Sequence, residues 1–214
     1  MAQFRAGQQV LVHGFQTGIG FDGGFSHYVR VPAAHAQALP AGLSLLETAI
    51  LGVPGFTAAM ALEHFEASGI TPATGPIAVS GAAGAVGAAA IAILARAGYR
   101  VAAIDNVGAT MLSWLLRSMQ DGGCVASVGN AGRNTYDGSV LPFIMRRVQL
   151  VGIVANAPWS QRHRLWARLG GDLKPDFSKL LAHVHHIRLD QQMEHSERQL
   201  QGTASGRVLV AFED

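Results

Sequence analysis

An eight-residue run of small side chains, Ser80-Gly81-Ala82-Ala83-Gly84-Ala85-Val86-Gly87, lies where the apolar stretch Pro76 to Ser80 gives way to the alanine-rich stretch Ala85 to Ala97. Few architectures need glycine and alanine so densely at the point where a strand hands over to a helix. Read as a dinucleotide fingerprint, the run is Ala82-x-Gly84-x-x-Gly87, with alanine in the first glycine slot. Gly84 would let the backbone approach a pyrophosphate, and Gly87 would let the helix pack closely on the strand. The free N–H groups and the positive end of the helix dipole would meet the phosphates. The alternative is that small residues serve only tight helix–sheet packing.

The surrounding pattern predicts an α/β fold with a parallel, helix-covered sheet. Strands are expected over Arg100 to Ile104, Cys124 to Val128 and Gln149 to Val154, with a helix over Ala109 to Met119 and Gly98 as a helix C-cap. Gln161 to Leu173 reads as an amphipathic helix, with Leu165, Trp166 and Leu169 on one face and Arg162, Arg164 and Arg168 elsewhere. Gly206 to Phe212 is a final strand. The first forty residues are β-like instead. Gln9 to His13 and the alternating Phe25 to Val31 are strand candidates, separated by a loop with five glycines between Gly14 and Gly24. Ser44 and Glu47 predict a capping box for a helix over Leu43 to Ile50, interrupted at Pro54-Gly55 and resuming from Phe56 to Glu66. A domain boundary is expected near Ser44.

Composition excludes several classes. The 214 residues are 49% hydrophobic and 14% charged, which rules out a disordered chain. Fourteen of the 16 basic residues are Arg, scattered along a chain of formal charge +2, so no nucleic-acid-binding stripe appears. The single cysteine, Cys124, leaves no intrachain disulfide and no thiolate zinc site, and predicts a reducing, cytoplasmic location with a buried thiol. Ala67 to Ala95 carries no charge but is broken by two prolines and five glycines. Its apolar helix would span roughly 20 Å, short of the roughly 30 Å of a bilayer core, so no membrane segment is expected. Lys174 and Lys179, the only lysines, lie too far from the glycine run for a P-loop. Tyr-x-x-x-Lys and Gly-x-Ser-x-Gly are both missing from the sequence.

Asp105 lies 18 residues after Gly87. That spacing fits an acid bonding the adenosine ribose and favouring NAD. The alternative is a strand-end aspartate capping the next turn. His183, His185 and His186 cluster in sequence, but no carboxylate stands at ligand spacing, so no metal is expected. Arg146-Arg147 reads as a solvated turn, and Trp114 and Trp166 as core or dimer contacts.

Several motifs taken in order resemble the zinc-independent medium-chain dehydrogenase/reductase family. They are Phe4 to Gly14, Gly23-Gly24-Phe25, Leu51 to Leu62, the glycine run, Asp105 to Gly108, Gly122 to Gly129, Leu141 to Gly152 and Gly206 to Val210. The run Pro158-x-x-x-Arg162-x-x-x-Trp166-x-Arg168-Leu169-x-x-Asp172-Leu173 is similar to the acryloyl-CoA reductase, or quinone-oxidoreductase-like, branch. The resemblance implies a shortened Rossmann-type sheet over residues 45–186 and a partial GroES-like β domain over 1–44 and 187–214. It implies hydride transfer from NADPH, with NADH possible, to an enoyl thioester or quinone in a homodimer. Cofactor contacts would fall at Thr57, Gly84, Ala85, Val86, Gly87, Asp105, Gly129, Asn130, Ala131 and Arg207. No residue is singled out as catalytic. It also implies two missing pieces: an N-terminal stretch of the barrel, and a segment near Ile104 that includes the turn for the NADP 2′-phosphate. Asp105 would then come from a later strand than its spacing suggests. A catalytically inactive remnant that binds dinucleotide weakly is the alternative reading.

Overall fold

Ser44 and Glu47 close the expected capping box: the Glu47 N–H donates to Ser44 Oγ at 3.1 Å, and the Ser44 N–H donates to Glu47 Oε2 at 2.8 Å. Helix α1 starts there and runs Leu45–Ala67 in a computed structural model that describes residues 4–14, 16–74, 78–99 and 103–212. Where two helices are expected there is one, with a break at Gly52 (φ 47°, ψ −148°). Pro54 supplies no N–H and restricts the residue before it, so the backbone yields just upstream, where glycine tolerates a positive φ. Leu51, Phe56, Ala58, Ala59, Ala61, Leu62 and Phe65 are buried, so this long apolar helix spends its hydrophobic surface inside the protein.

The central sheet is parallel. Strands β3 (Ala103–Asp105), β4 (Cys124–Ser127) and β5 (Gln149–Gly152) pair in that order, and Val79 bridges Ile104 on the far side of β3. The expected strands at 76–80 and 100–104 lie partly outside the described residues. Helices α2 (Ala85–Arg96), α3 (Ala109–Ser118) and α4 (Leu141–Arg146) intervene. Alternation along the strands separates two faces. Ile104, Cys124 and Ala126 join one core with α1 and with Ala90, Ile93 and Leu94 of α2. Ala103 and Val125 join another with Leu112, Leu115 and Leu116 of α3.

That division fixes a topological fact. The steps from Val79 to β3 and from β3 to β4 cross the sheet in the same direction, yet α2 and α3 cover opposite faces. The two crossovers therefore have opposite hands, and one of them is left-handed against the strong right-handed rule. This agrees with the missing segment that the resemblance implies near Ile104.

The β-like ends are sparser than the sequence suggests. Strands β1 (Val10–Val12) and β2 (Ala36–Ala38) pair antiparallel. Phe25 to Val31 is not a strand: Tyr28 is 93% exposed, so the alternation has no core to turn its apolar side toward. Helix α5 (Trp159–Gly170) buries Leu165, Trp166 and Leu169, but it also buries Arg162, which corrects the expectation that all three arginines lie off the apolar face. After the short α6 (Phe177–Leu181), strand β6 (Val184–Arg188) crosses the boundary expected after residue 186. It pairs parallel with β7 (Arg207–Ala211), and α7 (Gln192–Leu200) connects them.

Candidate functional site

The glycine run forms a tight turn into α2. Gly84 is the N-cap, and its N–H donates to the Gly81 carbonyl at 2.9 Å. The donors left for a ligand are therefore those of Ala85, Val86 and Gly87, which have no carbonyl behind them in the helix. A Cβ on Gly87 would stand 2.3 Å from Gly81 O and 2.8 Å from Ala82 Cα, both backbone atoms. A Cβ on Gly84 would meet only Gly81 O, at 3.3 Å. Gly87 thus serves packing, whereas Gly84 leaves room on the turn's outer side. The residues present fit a pyrophosphate.

They fit a ribose acid less well. Asp105 is fully buried. Its Oδ1 accepts from Ser80 Oγ at 2.8 Å and from the Val107 N–H at 3.2 Å, and its Oδ2 accepts from the Gly108 N–H at 2.9 Å. The carboxylate ties the end of β3 to the glycine turn and caps the bend that starts α3.

The C-terminal strand docks onto the same turn. Gly206 bridges Gly84, and its N–H donates to the Ala83 carbonyl at 2.8 Å. The next residue, Arg207, reaches back across the break in α1 and donates to the Ala49 carbonyl at 2.9 Å from Nη2. Gly52 makes this possible, because a Cβ there would stand 2.7 Å from Arg207 Nη2. Burial pulls the Arg207 pKa below its ordinary value, and no carboxylate pairs with it among the described residues.

These elements border a cavity of about 730 Å³ between β1, the α1 break, α7 and β7. Of the residues singled out in the sequence, the cavity wall brings together Ala85 and Arg207. Thr57 is buried within α1 and spends its hydroxyl on the Val53 carbonyl at 2.8 Å; Gly52 and Val53 line the wall instead. Gly129, Asn130 and Ala131 follow β4 outside that wall, where the Ala131 N–H donates to the Asn106 carbonyl. Among the described residues no group of His, Cys, Asp and Glu could hold a metal, so His183, His185 and His186 form no such site.

Sequence reasoning missed the polar wall of the cavity. His13 follows β1 and packs edge-on to Phe56 at 4.7 Å and tilted against Trp166 at 5.5 Å. Among the described residues neither of its ring nitrogens, both buried, has a hydrogen-bond partner, nor do the buried Thr17 Oγ1 and His195 Nε2, and all three residues line the cavity. Burial, with the Arg162 charge adding to it, pushes the His13 pKa down to about 4. Arg162 holds the His13 backbone, donating to its carbonyl at 3.1 Å and to the Ala157 carbonyl at 2.8 Å. The one available signal was position: His13 ends an apolar strand at the mouth of a glycine-rich loop.

No family model matches the chain. Individual proteins do. Acrylyl-CoA reductase AcuI of Ruegeria pomeroyi is 33% identical over 250 residues, covering 97% of this chain and 75% of that protein. YhfP of Bacillus subtilis, by name a candidate quinone oxidoreductase, is 32% identical over 251 residues, covering 97% and 76%. Both matches run longer than the 214 residues of this chain, so each relative carries positions with no counterpart here. Among solved structures, the yhdH oxidoreductase of Salmonella enterica in complex with NADP superposes with a TM-score of 0.91 at 33% identity, over 98% of this chain and 76% of that one. B. subtilis yhfP with NAD bound superposes at 0.89 and 31%, over 98% and 76%.

Proposed function

The chain belongs to the zinc-independent medium-chain dehydrogenase/reductase family, in its acrylyl-CoA reductase and quinone-oxidoreductase-like branch, and we propose on that premise that it transfers hydride from NADPH to an activated double bond. The acceptor is an enoyl thioester of the acrylyl-CoA kind, with a quinone as the second candidate because one relative bears that name. The observation that carries this reading is the meeting of Ala85, at the end of the glycine turn, Arg207 and a wall of apolar and polar residues around one open cavity. Nothing in the comparisons favours an inactive remnant.

Reduced nicotinamide would supply the hydride, and the protein's part is placement and electrostatics. The N–H groups of Ala85, Val86 and Gly87 hold the pyrophosphate at the helix N-terminus. Arg207, lacking a carboxylate partner among the described residues, adds positive charge at the same rim. Gly129, Asn130 and Ala131 would border the ribose of a bound nicotinamide cofactor, at the carboxyl end of a parallel strand where such folds bind ligands. Thr57 supports the floor from within α1, and Asp105 acts indirectly, by fixing Ser80 and the turn. Val10, Leu45, Val53 and Leu209 give the cavity its apolar surface.

The same reading places residues 1–44 and 187–214 in a partial GroES-like β domain and 45–186 in the dinucleotide domain. It extends to a cytoplasmic homodimer paired along β5, which borders only β4 among the described residues. The test is NADPH fluorescence on titration with protein, followed by NADPH oxidation on adding acryloyl-CoA. Binding with turnover is expected. Binding without turnover would overturn the enzymatic reading, and Gly84→Val is expected to abolish binding by filling the pyrophosphate's space.

A further inference from the structure

Three polar side chains from three segments, His13, Thr17 and His195, line the cavity, and each carries a buried polar atom that bonds to nothing among the described residues. A buried polar atom without a partner is costly, and a cluster of them around one space marks where a ligand's polar atom belongs. Most of the remaining wall is apolar, including Val10, Leu11, Val53 and Val208, so the ligand part is a small neutral acyl group bearing one strong acceptor. His13 is the best placed of the three. Its ring is fixed between Phe56 and Trp166, and its backbone is held by Arg162, so it loses little freedom on binding.

We infer that His13 donates a hydrogen bond to the carbonyl oxygen of the acyl acceptor and stabilises the negative charge that forms there during hydride transfer. This rests on the reductase reading above. In that step a new C–H bond forms at the β-carbon from hydride given up by the reduced nicotinamide, which is oxidised. The C=C electron pair shifts toward the carbonyl, leaving an enolate oxygen, and a proton from solvent then closes the α-carbon. His13 keeps its proton throughout. It acts as a fixed donor aimed at developing charge, the kind of group that gives acyl chemistry much of its rate.

The charged and titratable groups around His13 suit a neutral donor. Arg162 faces it from α5 and His35 from the segment before β2, while His195 from α7 and Arg207 from β7 share its cavity. Among the described residues no carboxylate lines either space, so none of them favours the imidazolium. With its pKa down at about 4, the ring is neutral throughout the working range and carries one N–H and one acceptor nitrogen.

The test uses the full chain and propionyl-CoA labelled with ¹³C at the carbonyl, a saturated thioester that binds without reacting. In wild-type protein the infrared carbonyl band is expected to move to lower frequency on binding, and the His13 ring ¹⁵N resonances to shift. In His13→Phe the band returns to its free position. With NADPH and acryloyl-CoA, kcat falls about a hundred-fold while KM changes by less than about threefold. His13→Asn, which keeps a neutral N–H, recovers part of both. Failure of the wild-type protein to bind the thioester would overturn the reductase reading and this proposal with it. Wild-type binding with an unshifted band, with unmoved ¹⁵N resonances, or with a band that His13→Phe leaves in place would overturn the role of His13 alone.

Discussion

The Asp105 carboxylate and the His13 imidazole are both buried polar groups at strand ends, some distance apart in the same fold, and their surroundings differ in one respect. Asp105 has a donor on each oxygen: Ser80 and Val107 on one, Gly108 on the other. His13 has aromatic neighbours and, among the described residues, no hydrogen bond on either nitrogen. A buried polar group whose hydrogen bonds are satisfied stiffens a turn and has nothing left to offer a ligand. An unsatisfied neutral group on a cavity wall has its whole bonding capacity to offer. Spacing from the glycine motif picks out Asp105 as a binding residue, and geometry reassigns its work to structure. The turn is the finished part of the site and the wall is the unfinished part.

The most severe way to break this comparison is to spoil the turn. Gly87→Ala puts a methyl group 2.3 Å from Gly81 O and 2.8 Å from Ala82 Cα, so backbone must move. A loss of about 3 kcal/mol in unfolding free energy is expected, together with loss of NADPH binding. Gly84→Ala meets a single atom at 3.3 Å and should cost the fold less than about 1 kcal/mol. Its NADPH affinity should nevertheless fall at least about tenfold, because the methyl group occupies ligand space. Denaturant melts and fluorescence titrations on the two variants separate packing from binding. Equal effects on stability would erase the distinction drawn between the two glycines.

The wall gives the next largest effect, and acid reveals it. The folded-state pKa of His13 is about 4 against an ordinary 6.5. Between those values the unfolded chain binds a proton that the folded one does not, so stability rises with pH across that window. On lowering the pH from 6.5 to 4 the protein should lose up to about 3 kcal/mol through this group, with the loss levelling off below 4. His13→Phe removes that slope while leaving the other groups' contributions, so the difference between the two stability–pH curves isolates it. Parallel curves would mean that His13 titrates normally.

How much of this was legible beforehand follows from what each feature depends on. The capping box at Ser44 and Glu47 and the glycine turn are local, so residue type and spacing revealed them. The burial of Arg162 was not legible, because an arginine on an amphipathic helix normally faces water. The carbonyl of His13, brought in from distant chain, and that of Ala157, just ahead of the helix, let this one turn inward. The alternation at Phe25 to Val31 reads as a strand, but strands need partners, and partners are not a property of the segment. Asp105 misled for a topological reason: 18 residues after Gly87 normally means the second strand, whereas here the strand pairs with both Val79 and β4 and carries the chain straight on across the sheet.

Helix α5 allows the finest version of the comparison, since it carries arginines in both kinds of setting. Arg162 is buried under the cavity wall, and its guanidinium lies 5.8 Å from the Phe56 ring centroid. Arg162→Met removes the donors to His13 O and Ala157 O and should cost roughly 1–3 kcal/mol. It also removes a positive charge whose presence disfavours the imidazolium, so the His13 pKa should move up from about 4, by less than the full return to 6.5 because burial is the larger cause. Two turns on, Arg168 pairs with Glu66 of α1 and Asp172 near the surface, and these partners hold its pKa above the ordinary arginine value. Arg168→Ala should cost no more than about 1 kcal/mol, with most of that lost in high salt. Histidine titration by NMR in the two variants decides whether the wall is tuned locally. An upward shift in Arg162→Met alone ties the neutrality of His13 to the arginine that holds its backbone, and an equal shift in Arg168→Ala would assign it to the charge of the whole helix.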